Sequence, residues 1–574
     1  MGNPDVARIF YEVADLLELQ GVSFKPQAYR RAAAAIEQLE VDIADAVREG
    51  RHKEIPGVGA AIAKKIEEIV DTGRLAYLDE LKSEVPAGLL EVLMIPDVGP
   101  KTAMQLHREL GISSVAELKE AVESHRLQSL KGFGAKTEER ILLGIRTLES
   151  SGGRTLLGEA RPVARAYLAH VMACVPDVPA SICGSLRRGR DTIGDIDILV
   201  ASDSPDEVSE AFASYGLVSE VLARGSTKSS VLLQNGLQVD LRVVEASSYG
   251  AALQYFTGSK EHNVIVRKIG VERGLKVNEY GVFERGTERP VAGDSEESVY
   301  EALGLPWIPP ELREDAGEVS AALDGKLPSL VDASDIRGDF HIHTDWSDGS
   351  DTIEEIASAA ANLGYEFVAI TDHSQSLTIA NGLSPEKLRR QLGEIGRVGD
   401  KHADDITVFS GSEVDIKPDG SLDFPSSLLR ELDVVIASIH SKMKMPKADM
   451  TKRMTKALES GDVDILGHPT ARIIGRREPV EVDLEEIFEV AADAGVAMEV
   501  NAFPDRLDLR DVHCRLAKEH GVPVAIGTDS HSVRHLEYLE LGTITARRGW
   551  LEKGDVLNTF RPNDIRKRLS GRRS

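Results

Sequence analysis

The stretch CGSLRRGRDTIGDIDILV, residues 183–200, places two aspartates at the start of an apolar run. Alternate side chains of a β-strand point to opposite faces, so Asp195 and Asp197 share one face and Ile196 and Ile198 the other. The two carboxylates would lie about 7 Å apart along the strand. Two like charges at this spacing favour a cation between them. The stretch therefore predicts a metal-binding strand; the alternative is an acidic strand end that faces solvent.

A third carboxylate and a preceding turn extend this candidate site. Asp240 lies in a second strand-like run, LQVDLRVV. Gly184, Ser185, Arg187 and Arg188 precede the first strand, where backbone N–H, hydroxyl and guanidinium groups can converge on a triphosphate. Three carboxylates that hold two Mg²⁺ ions would activate a 3′-hydroxyl and stabilise the departing pyrophosphate. This combination predicts nucleotide addition.

The same motifs, with the block YFTGSKEHN at residues 255–263, strongly resemble the family X DNA polymerases. The resemblance implies that Asp195, Asp197 and Asp240 are the catalytic, metal-binding triad. It also implies a set of residues that bind the incoming nucleotide: Gly184, Ser185, Arg188, Tyr255, Phe256, Gly258 and Asn263. Arg267 is implied to reach the template strand. Lys260 differs from the acidic residue that the best-known family members carry there.

The N-terminal region contains an internal repeat, with copies IPGVGAAIAKKIEEIV at 55, IPDVGPKTAMQLHREL at 95 and LKGFGAKTEERILLGI at 130. Each copy predicts a helix-hairpin-helix in which a glycine opens a helix whose free N–H groups can bind phosphate. The alternative is a set of ordinary corners in an all-α bundle, but three copies favour binding of a nucleic-acid backbone. The residues predicted to contact DNA here are Gly57, Gly59, Gly99, Lys101, Gly134 and Lys136.

The segment FKPQAYRRAA, which precedes the first repeat copy, resembles the small DNA-end-binding domain of the same family. The resemblance implies that Lys65 is a catalytic Schiff-base nucleophile that excises a 5′-deoxyribose phosphate, with Lys25 and Tyr29 in the 5′-phosphate pocket. The alternative is that Lys64 and Lys65 form a solvated or phosphate-contacting helix face. Lyase activity is thus one of two open interpretations of Lys65.

The C-terminal region shows seven short apolar runs that alternate with helical stretches: DFHIHT, FVAITDH, TVFSGSE, VVIASIH, DILGHP, AMEVN and PVAIGTDSH. This alternation predicts a parallel sheet closed as a barrel, whose C-terminal strand ends share one rim. The metal ligands expected on this rim are His341, His343, Asp348, His373, Glu413, His440, His468, Asp529 and His531. A single buried histidine is usually structural, but the repeated pattern favours a metal site.

The order H-x-H, T-D-H, a lone Glu, a strand-end His, G-H-P and D-x-H resembles the polymerase and histidinol phosphatase (PHP) domain family. That family consists of multinuclear metal phosphoesterases, and all nine ligand positions of its trinuclear type are filled. Mixed imidazole and carboxylate ligands suit Mn²⁺, Zn²⁺ or Fe²⁺ better than Mg²⁺ alone. The resemblance implies up to three Mn²⁺ or Zn²⁺ ions and a 3′-5′ exonuclease or 3′-end phosphoesterase.

Composition limits the class of protein and its partners. The net charge of -26 over 574 residues, taken alone, argues against nucleic-acid binding, so any DNA contact must use backbone amides and a few placed cations. The sequence shows neither a secretory leader nor an apolar run of bilayer length, which predicts a protein without membrane partners. Three widely spaced cysteines fit a reducing compartment, and we expect cytoplasmic localisation without disulfides.

These features together predict a multidomain chain with three architectures: an all-α helix-hairpin-helix region, an α+β nucleotidyltransferase palm and thumb, and a distorted TIM-like (β/α)7 PHP barrel. The predicted boundaries are an end-binding domain at 1–85, helix-hairpin-helix fingers at 86–154, a palm at 155–260, a thumb at 261–312, a linker at 313–335 and a PHP domain at 336–574. The linker is predicted from its Pro, Gly, Asp and Glu content, and it would leave the two active sites independent.

The predicted function is a monomeric DNA-directed DNA polymerase that fills short gaps in DNA repair and carries a PHP-domain exonuclease. Its partners would be gapped or primer-template DNA and deoxynucleoside triphosphates. One alternative is a small-molecule phosphatase of the histidinol phosphate type with a regulatory nucleotide-binding front half; the complete YFTGS block and the three hairpins argue against it. A second alternative is a non-catalytic DNA scaffold, against which the intact carboxylates argue.

Overall fold

The computed structural model describes residues 154–570 without a break. Before them it describes residues 3–19, 22, 25–37, 43–48, 50–55, 58–72, 74–84, 88–89, 92, 95, 98, 100–130, 133–134, 137–138, 141–142 and 145. The chain divides into two compact units, Met1–Gly152 with Gly475–Arg477 and Gly153–Ile474 with Glu478–Ser574. None of the helices in these described ranges combines the length and the apolar character needed to span a bilayer.

The N-terminal unit is helical. Its described α-helices are α1 (Asn3–Leu19), α2 (Lys25–Glu37), α3 (Ile43–Arg48), α4 (Ala60–Thr72), α5 (Ala76–Glu84), α6 (Pro100–Leu110) and α7 (Val115–Glu123). Its core is built mainly from alanine, isoleucine, leucine and valine side chains that recur at helical spacing, such as Ile36, Ile66 and Leu106, and it also contains Phe10.

The internal repeat is visible as a repeated turn. One backbone hydrogen bond recurs in each copy, and it joins Val58 N to Ile55 O at 3.0 Å, Val98 N to Ile95 O at 3.0 Å and Phe133 N to Leu130 O at 3.2 Å. All six of these side chains are buried. The turn therefore folds inward through its two apolar residues, and in the first copy it leaves Gly59 directly before helix α4.

The second unit begins with the palm. Its strands are β1 (Thr155–Leu156), β2 (Ala180–Ile182), β3 (Thr192–Ile193), β4 (Asp195–Ala201), β5 (Val218–Arg224), β6 (Lys228–Leu233) and β7 (Gln238–Val244). Its helices are α8 (Leu157–Cys174), α9 (Gly184–Arg187), α10 (Pro205–Ala213) and α11 (Tyr249–Thr257). The five-stranded sheet has the order β2-β4-β7-β6-β5, in which β4 and β7 are parallel and the other pairs antiparallel.

Strand β5 is absent from the sequence-based prediction, which finds strands near β2, β4, β6 and β7. Six of its seven residues are exposed, since it lies at the sheet edge. A strand that buries neither face carries no alternation of apolar and polar residues, so periodicity could not detect it.

The thumb follows the palm. It comprises α12 (Lys260–Glu272), a three-stranded antiparallel sheet of β8 (Leu275–Asn278), β9 (Gly281–Glu284) and β10 (Pro290–Ala292), and α13 (Glu296–Ala302). Helix α12 begins where the YFTGS block ends, because the Ser259 hydroxyl accepts a hydrogen bond from His262 N and caps the helix. The block therefore orients the helix that carries Asn263 and Arg267.

Residues 313–335 are not an extended linker. They contain helix α14 (Glu318–Leu323), and the side chains of Arg313 and Glu318 are fully buried. Arg313 pairs with Glu296 at 2.6 Å, and Glu318 accepts a hydrogen bond from His262 at 2.7 Å. The composition suggested solvation, but these charges are paired inside the thumb, which is how a folded chain buries charge.

The C-terminal barrel has seven parallel strands in sequence order, which confirms the predicted architecture. The strands are β11 (Gly338–Ile342), β12 (Phe367–Ile370), β13 (Thr407–Asp415), β14 (Val434–Ser438), β15 (Ile465–Leu466), β16 (Ala497–Asn501) and β17 (Val524–Gly527). The helices are α15 (Ile353–Asn362), α16 (Pro385–Lys401), α17 (Ser426–Leu429), α18 (Lys447–Leu458), α19 (Leu484–Ala494), α20 (Asp511–Glu519), α21 (Leu539–Arg548) and α22 (Pro562–Ser570). A parallel bridge from Ile342 to Ser530 nearly closes the ring.

Palm and barrel share a hydrophobic core. Leu541 and Ile544 of helix α21 pack in one cluster with the palm residues Leu157 and Leu186. Arg161 and Arg165 of helix α8 both pair with Glu540, at 2.6 and 2.7 Å. The two domains are therefore one packed unit rather than two bodies joined by a flexible segment.

Candidate active sites

The palm carboxylates meet at the parallel β4–β7 pair. In its register Asp197 lies directly opposite Asp240, and Asp195 lies two residues earlier on the same face as Asp197. The burial pattern follows the predicted alternation, since Ile196 and Ile198 are buried and Asp195 is exposed. The three predicted metal ligands thus share the end of two neighbouring strands.

Electrostatics at this triad favour a bound cation. Burial, together with the charges of Asp195 and Asp240, raises the pKa of Asp197 to about 7. Although burial alone would raise the pKa of Asp240, hydrogen bonds from its neighbours, such as Gln238, lower it, and Lys228 Nζ lies 3.1 Å from its carboxylate. A set of three carboxylates is the donor chemistry that Mg²⁺ prefers, so the residues fit the predicted ions.

The turn before β4 lies against the triad. Gly184 has φ +64, and a Cβ on it would lie 2.2 Å from Asp197 Oδ2. Only glycine can therefore bring the backbone this close to the carboxylate. Ser185 is half-buried in the same turn.

The two arginines of this turn differ in their contacts. Arg188 donates from Nε to Glu314 at 3.0 Å and from Nη1 to the Thr257 carbonyl at 2.5 Å. Arg187 is paired through both terminal nitrogens with the buried Glu296, at 2.8 and 2.7 Å. Arg187 is therefore held as a buried structural ion pair.

The YFTGS block places the predicted nucleotide pocket next to this turn. A Cβ on Gly258 would lie 3.1 Å from the Arg188 guanidinium. The rings of Tyr255 and Phe256 lie edge to face with centroids 5.2 Å apart. Asn263 is buried; its amide oxygen accepts from Gln254 at 2.8 Å.

Two further arginines lie near this pocket. Arg267 donates to the backbone carbonyl of Asn263 at 3.2 Å. Arg242, which sequence reasoning missed, follows Asp240 by two residues on the same strand face and lies over the Phe256 ring at 5.0 Å. Because Arg242 is two residues from Asp240 on a predicted strand, the spacing could have shown that the two side chains share one face.

The barrel rim gathers the predicted histidines and carboxylates. In the described part of the chain, three sets of side chains offer ligand atoms that all lie within 4.8 Å of one another, and all three sets are on this rim. The sets are His343, Asp348, His373 and His531; His341, His343 and Asp529; and His373, Glu413 and His440. His468 lies outside these sets, with Nε2 at 2.8 Å from Glu413.

The rim fits a metal centre because several of its buried polar atoms make no hydrogen bond of good geometry and instead crowd one another, as His373 Nδ1 and Glu413 Oε2 do at 2.7 Å. Six such atoms have no hydrogen-bond partner among the described residues: His341 Nε2, His343 Nδ1, His343 Nε2, His373 Nδ1, Glu413 Oε2 and His468 Nδ1. Burying a polar atom without a partner is costly, so this concentration at one place is evidence of a site. Burial and the neighbouring His373 and His531 lower the pKa of His343 to about 3. A neutral imidazole is the form that binds a metal.

Sequence reasoning missed the carboxylates that orient these histidines. Glu499 lies 2.6 Å from His341 Nδ1 and also accepts a hydrogen bond from the His468 backbone N at 2.5 Å. Asp415 lies 2.8 Å from His440 Nδ1. Asp415 ends β13, in SEVD, and Glu499 lies two residues before the end of β16, in AMEVN, so position near the end of a strand was a signal that could have found them.

The rim also has a nearby cation. Arg506 lies 3.4 Å from Asp529 Oδ2, and its own side chain is mostly buried. It comes from the loop after β16, which has no apolar pattern that could have predicted its position.

The lysine predicted for lyase chemistry lies in the N-terminal unit. Lys65 on helix α4 is half-buried, and its Nζ lies 3.9 Å from the centroid of the Tyr77 ring. Burial lowers the pKa of Lys65, and the Lys25 ammonium acts in the same direction, against Glu68 and Glu80. Tyr29 is buried, with its ring against Phe10 and Tyr77.

The predicted DNA-contacting residues are only partly described. Gly59 and Gly134 are exposed, and no atom lies within 4 Å of a Cβ placed on either. Gly59 lies immediately before helix α4, and the carbonyl of Gly134 accepts hydrogen bonds from Thr137 N and Glu138 N. Gly57, Gly99 and Lys136 lie outside the described residues, and the Lys101 side chain is not described.

Comparisons with known proteins match each part of this architecture. Family models match a helix-hairpin-helix domain at residues 1–75, a SAM-like helix-hairpin-helix tandem at 89–147, a DNA polymerase beta thumb at 252–314 and a PHP domain at 339–503. The chain is 39% identical over 568 residues to the DNA polymerase/3'-5' exonuclease PolX of Bacillus subtilis (strain 168), which covers 98% of this chain and 99% of that protein.

Two further relatives cover separate parts of the chain. DNA polymerase lambda of Rattus norvegicus is 25% identical over 336 residues, 53% of this chain and 54% of that protein. A probable phosphatase of Thermoanaerobacter sp. (strain X514) is 30% identical over 232 residues, 38% of this chain and 89% of that protein. The likeness to the Bacillus protein extends over both parts. The chain therefore belongs to the family X DNA polymerases that carry a C-terminal PHP domain.

Proposed function

We propose that the protein is a DNA-directed DNA polymerase that fills short gaps during repair and removes nucleotides from 3′ ends with its barrel. The observation that carries this proposal is the presence, in one compact unit, of the palm triad and of the three ligand sets on the barrel rim. Its substrates would be gapped or primer-template DNA and deoxynucleoside triphosphates, and it would act as a monomer.

In the palm, Asp195, Asp197 and Asp240 would hold two Mg²⁺ ions. At the barrel rim, the nine predicted ligands would hold up to three Mn²⁺ or Zn²⁺ ions. Bound divalent cations at either site would activate the attacking oxygen and stabilise the charge that develops around phosphorus. The protein supplies the position and the protonation state of each ligand.

The nucleotide pocket has donors left for a substrate. Arg188 uses Nε and one N–H of Nη1 in the protein, so its Nη2 remains for the triphosphate. The amide nitrogen of Asn263 donates one hydrogen to the Tyr255 carbonyl at 2.7 Å. Its second hydrogen remains for the minor-groove edge of the incoming base.

In the barrel, carboxylates fix the ring orientation of two ligands. Glu499 holds His341 through Nδ1, and Asp415 holds His440 in the same way, which directs each Nε2 to the rim. Arg506 adds a cation that suits a phosphodiester next to these ligands.

A phosphatase with a regulatory front half remains the alternative, and the phosphatase relative matches only the barrel part of the chain. One assay separates the two functions. A duplex with a short gap is incubated with the full-length protein in Mg²⁺ and then in Mn²⁺, with and without nucleotides. Gap filling with nucleotides and shortening of the 3′ end without them are expected. A protein that hydrolyses a small phosphomonoester but leaves both DNA products unformed would contradict the proposal.

A second candidate activity is 5′-deoxyribose phosphate lyase at Lys65. The lowered pKa of Lys65 favours it, because the uncharged amine is the form that adds to an aldehyde and loses water to give an imine. Borohydride should trap the wild-type protein on an incised abasic duplex, and Lys65→Arg should abolish trapping. Its exposed neighbour provides the control, since Lys64→Arg should trap normally. Equal trapping by both variants would show that Lys65 is not the nucleophile.

A further inference from the structure

The turn predicted to bind the triphosphate lies directly against a helix of the barrel. Gly189 has φ +66, and a Cβ on it would lie 2.2 Å from Ile544 Cγ2 of helix α21. In the same turn, Leu186 packs in one cluster with Ile544. The backbone of this turn is therefore supported by a side chain from a different domain.

A chain of alternating charges continues this contact. Arg548, the last residue of helix α21, donates from Nη1 to the Arg188 carbonyl at 2.7 Å and to Glu314 Oε1 at 3.0 Å. Glu314 Oε1 also accepts from Arg188 Nε at 3.0 Å. Arg548 in turn is held by Asp511 through Nε and Nη2, at 3.0 and 2.6 Å.

The chain of charges is shielded from water, so its hydrogen bonds constrain the groups they join. The Arg548 side chain is 5% exposed and that of Arg188 is 14% exposed. Charge-assisted hydrogen bonds are stronger than neutral ones, and a planar guanidinium held at Nε and Nη1 has one remaining orientation. The free Nη2 of Arg188 is then aimed before any nucleotide arrives, which lowers the entropy cost of binding.

We propose that Arg548 and Glu314 are positioning residues for the polymerase reaction, through which the PHP barrel sets the affinity of the palm for the incoming nucleotide. Arg548 acts on Arg188 in two ways. It binds the main-chain carbonyl of Arg188 directly, and it positions the Arg188 guanidinium through Glu314. The inference rests on the proposed role of Arg188 as the triphosphate ligand.

The test is single-turnover gap filling by full-length variants, which separates nucleotide Kd from the incorporation rate. Arg548→Lys keeps the charge but cannot serve Asp511, Glu314 and the Arg188 carbonyl together. It should raise the nucleotide Kd about five- to tenfold, as expected for lost charge-assisted hydrogen bonds, with the rate at saturation within about twofold of wild type.

The neighbouring residue is a matched control. Arg547 also joins the barrel to the segment after the thumb, with Nε at 2.7 Å from Glu311 and Nη1 at 2.8 Å from the Val331 carbonyl, but it does not contact the turn. Arg547→Lys should leave nucleotide Kd unchanged. The exonuclease rate of each variant reports whether the barrel is folded.

A double-mutant cycle with Arg188→Ala separates positioning from a general loss of structure. If Arg548 acts in part through the Arg188 guanidinium, Arg548→Lys should raise Kd less in the Arg188→Ala background than in the wild type, because only its contact with the main-chain carbonyl of residue 188 is then left to lose. Two outcomes overturn this inference alone, provided that Arg188→Ala weakens nucleotide binding. In the first, Arg548→Lys leaves the nucleotide Kd unchanged. In the second, Arg548→Lys raises the Kd by the same factor in the wild-type and Arg188→Ala backgrounds. If Arg188→Ala itself leaves Kd unchanged, the assignment of Arg188 in the proposed function is wrong and the inference fails with it.

Asp511→Asn provides a second variant if Arg548→Lys does not fold. It weakens the support of Arg548 without contacting the turn, and it should raise nucleotide Kd about two- to threefold, the effect of one weakened hydrogen bond. If Arg548→Lys does not fold, and a folded Asp511→Asn protein binds the nucleotide with the wild-type Kd, the inference is also overturned.

Discussion

In the proposed function, Asp240 is the residue on which we expect nucleotide addition to depend most directly. It lies opposite Asp197 in the parallel strand pair. Hydrogen bonds to its carboxylate lower its pKa, so Asp240 is charged at neutral pH. Asp240→Asn removes one ligand charge, and we expect single-turnover gap filling to fall on the order of 1000-fold, several kcal/mol of barrier. DNA affinity by fluorescence anisotropy should stay near wild type.

Asp206→Asn is the control for this prediction, because Asp206 is an exposed aspartate of the same domain. It should polymerise normally. Gap filling by Asp240→Asn at a near wild-type rate would show that the triad is not the catalytic set.

We expect Glu499 to set how tightly the barrel binds metal ions. Because it orients His341 and bonds the backbone of His468, Glu499→Gln should weaken Mn²⁺ binding about 10- to 100-fold. Exonuclease activity should then require more Mn²⁺ for half-maximal rate, as measured by metal titration. Glu489→Gln, at an exposed site on helix α19, should leave the titration unchanged. An unshifted titration for Glu499→Gln would exclude this role.

At the scale of the element, the turn at Gly184 couples backbone geometry to the triad. Gly184→Ala places a methyl group against Asp197 and strains a residue with positive φ. We expect a loss of about 100-fold in gap filling, the effect of a displacement of about 1 Å, and about 1 kcal/mol or more of stability.

Gly216 is the control for this turn. It lies in the same domain, and a Cβ on it meets no atom within 4 Å. Gly216→Ala should therefore fold and polymerise like wild type, as followed by thermal unfolding and gap filling. If Gly184→Ala also behaves like wild type, the close approach to Asp197 does not matter for catalysis.

The helix-hairpin-helix elements predict a weak salt dependence of DNA binding. Gly59 and Gly134 are exposed, so backbone N–H groups rather than cations would meet the phosphates, and the chain carries a net charge of -26. The slope of log K against log salt is about 0.9 per neutralised phosphate on duplex DNA, so it should remain well below about ten. A slope near ten in anisotropy titrations would refute contact through backbone amides.

At the scale of the whole molecule, two active sites share one packed unit but no ligand. His343→Ala removes a ligand common to two of the rim sets, so Mn²⁺-dependent 3′-end hydrolysis should be lost while primer extension in Mg²⁺ persists. Asp197→Asn should show the converse pattern. Loss of both activities in a His343→Ala protein that is folded by circular dichroism would mean that the barrel metals support the palm site directly.

The local sequence pattern determined most of the elements and most of the candidate site residues. Strand β4 follows from alternation, and the seven barrel strands follow from apolar runs, six of which have His, Asp or Glu at or near their ends. The first repeat glycine, Gly59, lies directly before helix α4, as the repeat pattern predicts. These features are encoded within a few residues of one another, which is why periodicity and spacing were sufficient.

The tertiary structure decided the features that depend on distant partners. Residues 313–335 have the composition of a solvated linker, but Arg313 and Glu318 are buried because Glu296 and His262 pair with them. Composition gives the number of charges in a segment but not which of them will be paired. It therefore predicted a flexible linker between independent domains, whereas the segment is packed against the thumb. The contact of Arg188 with Arg548 joins residues 360 positions apart, and only the folded chain could bring them together.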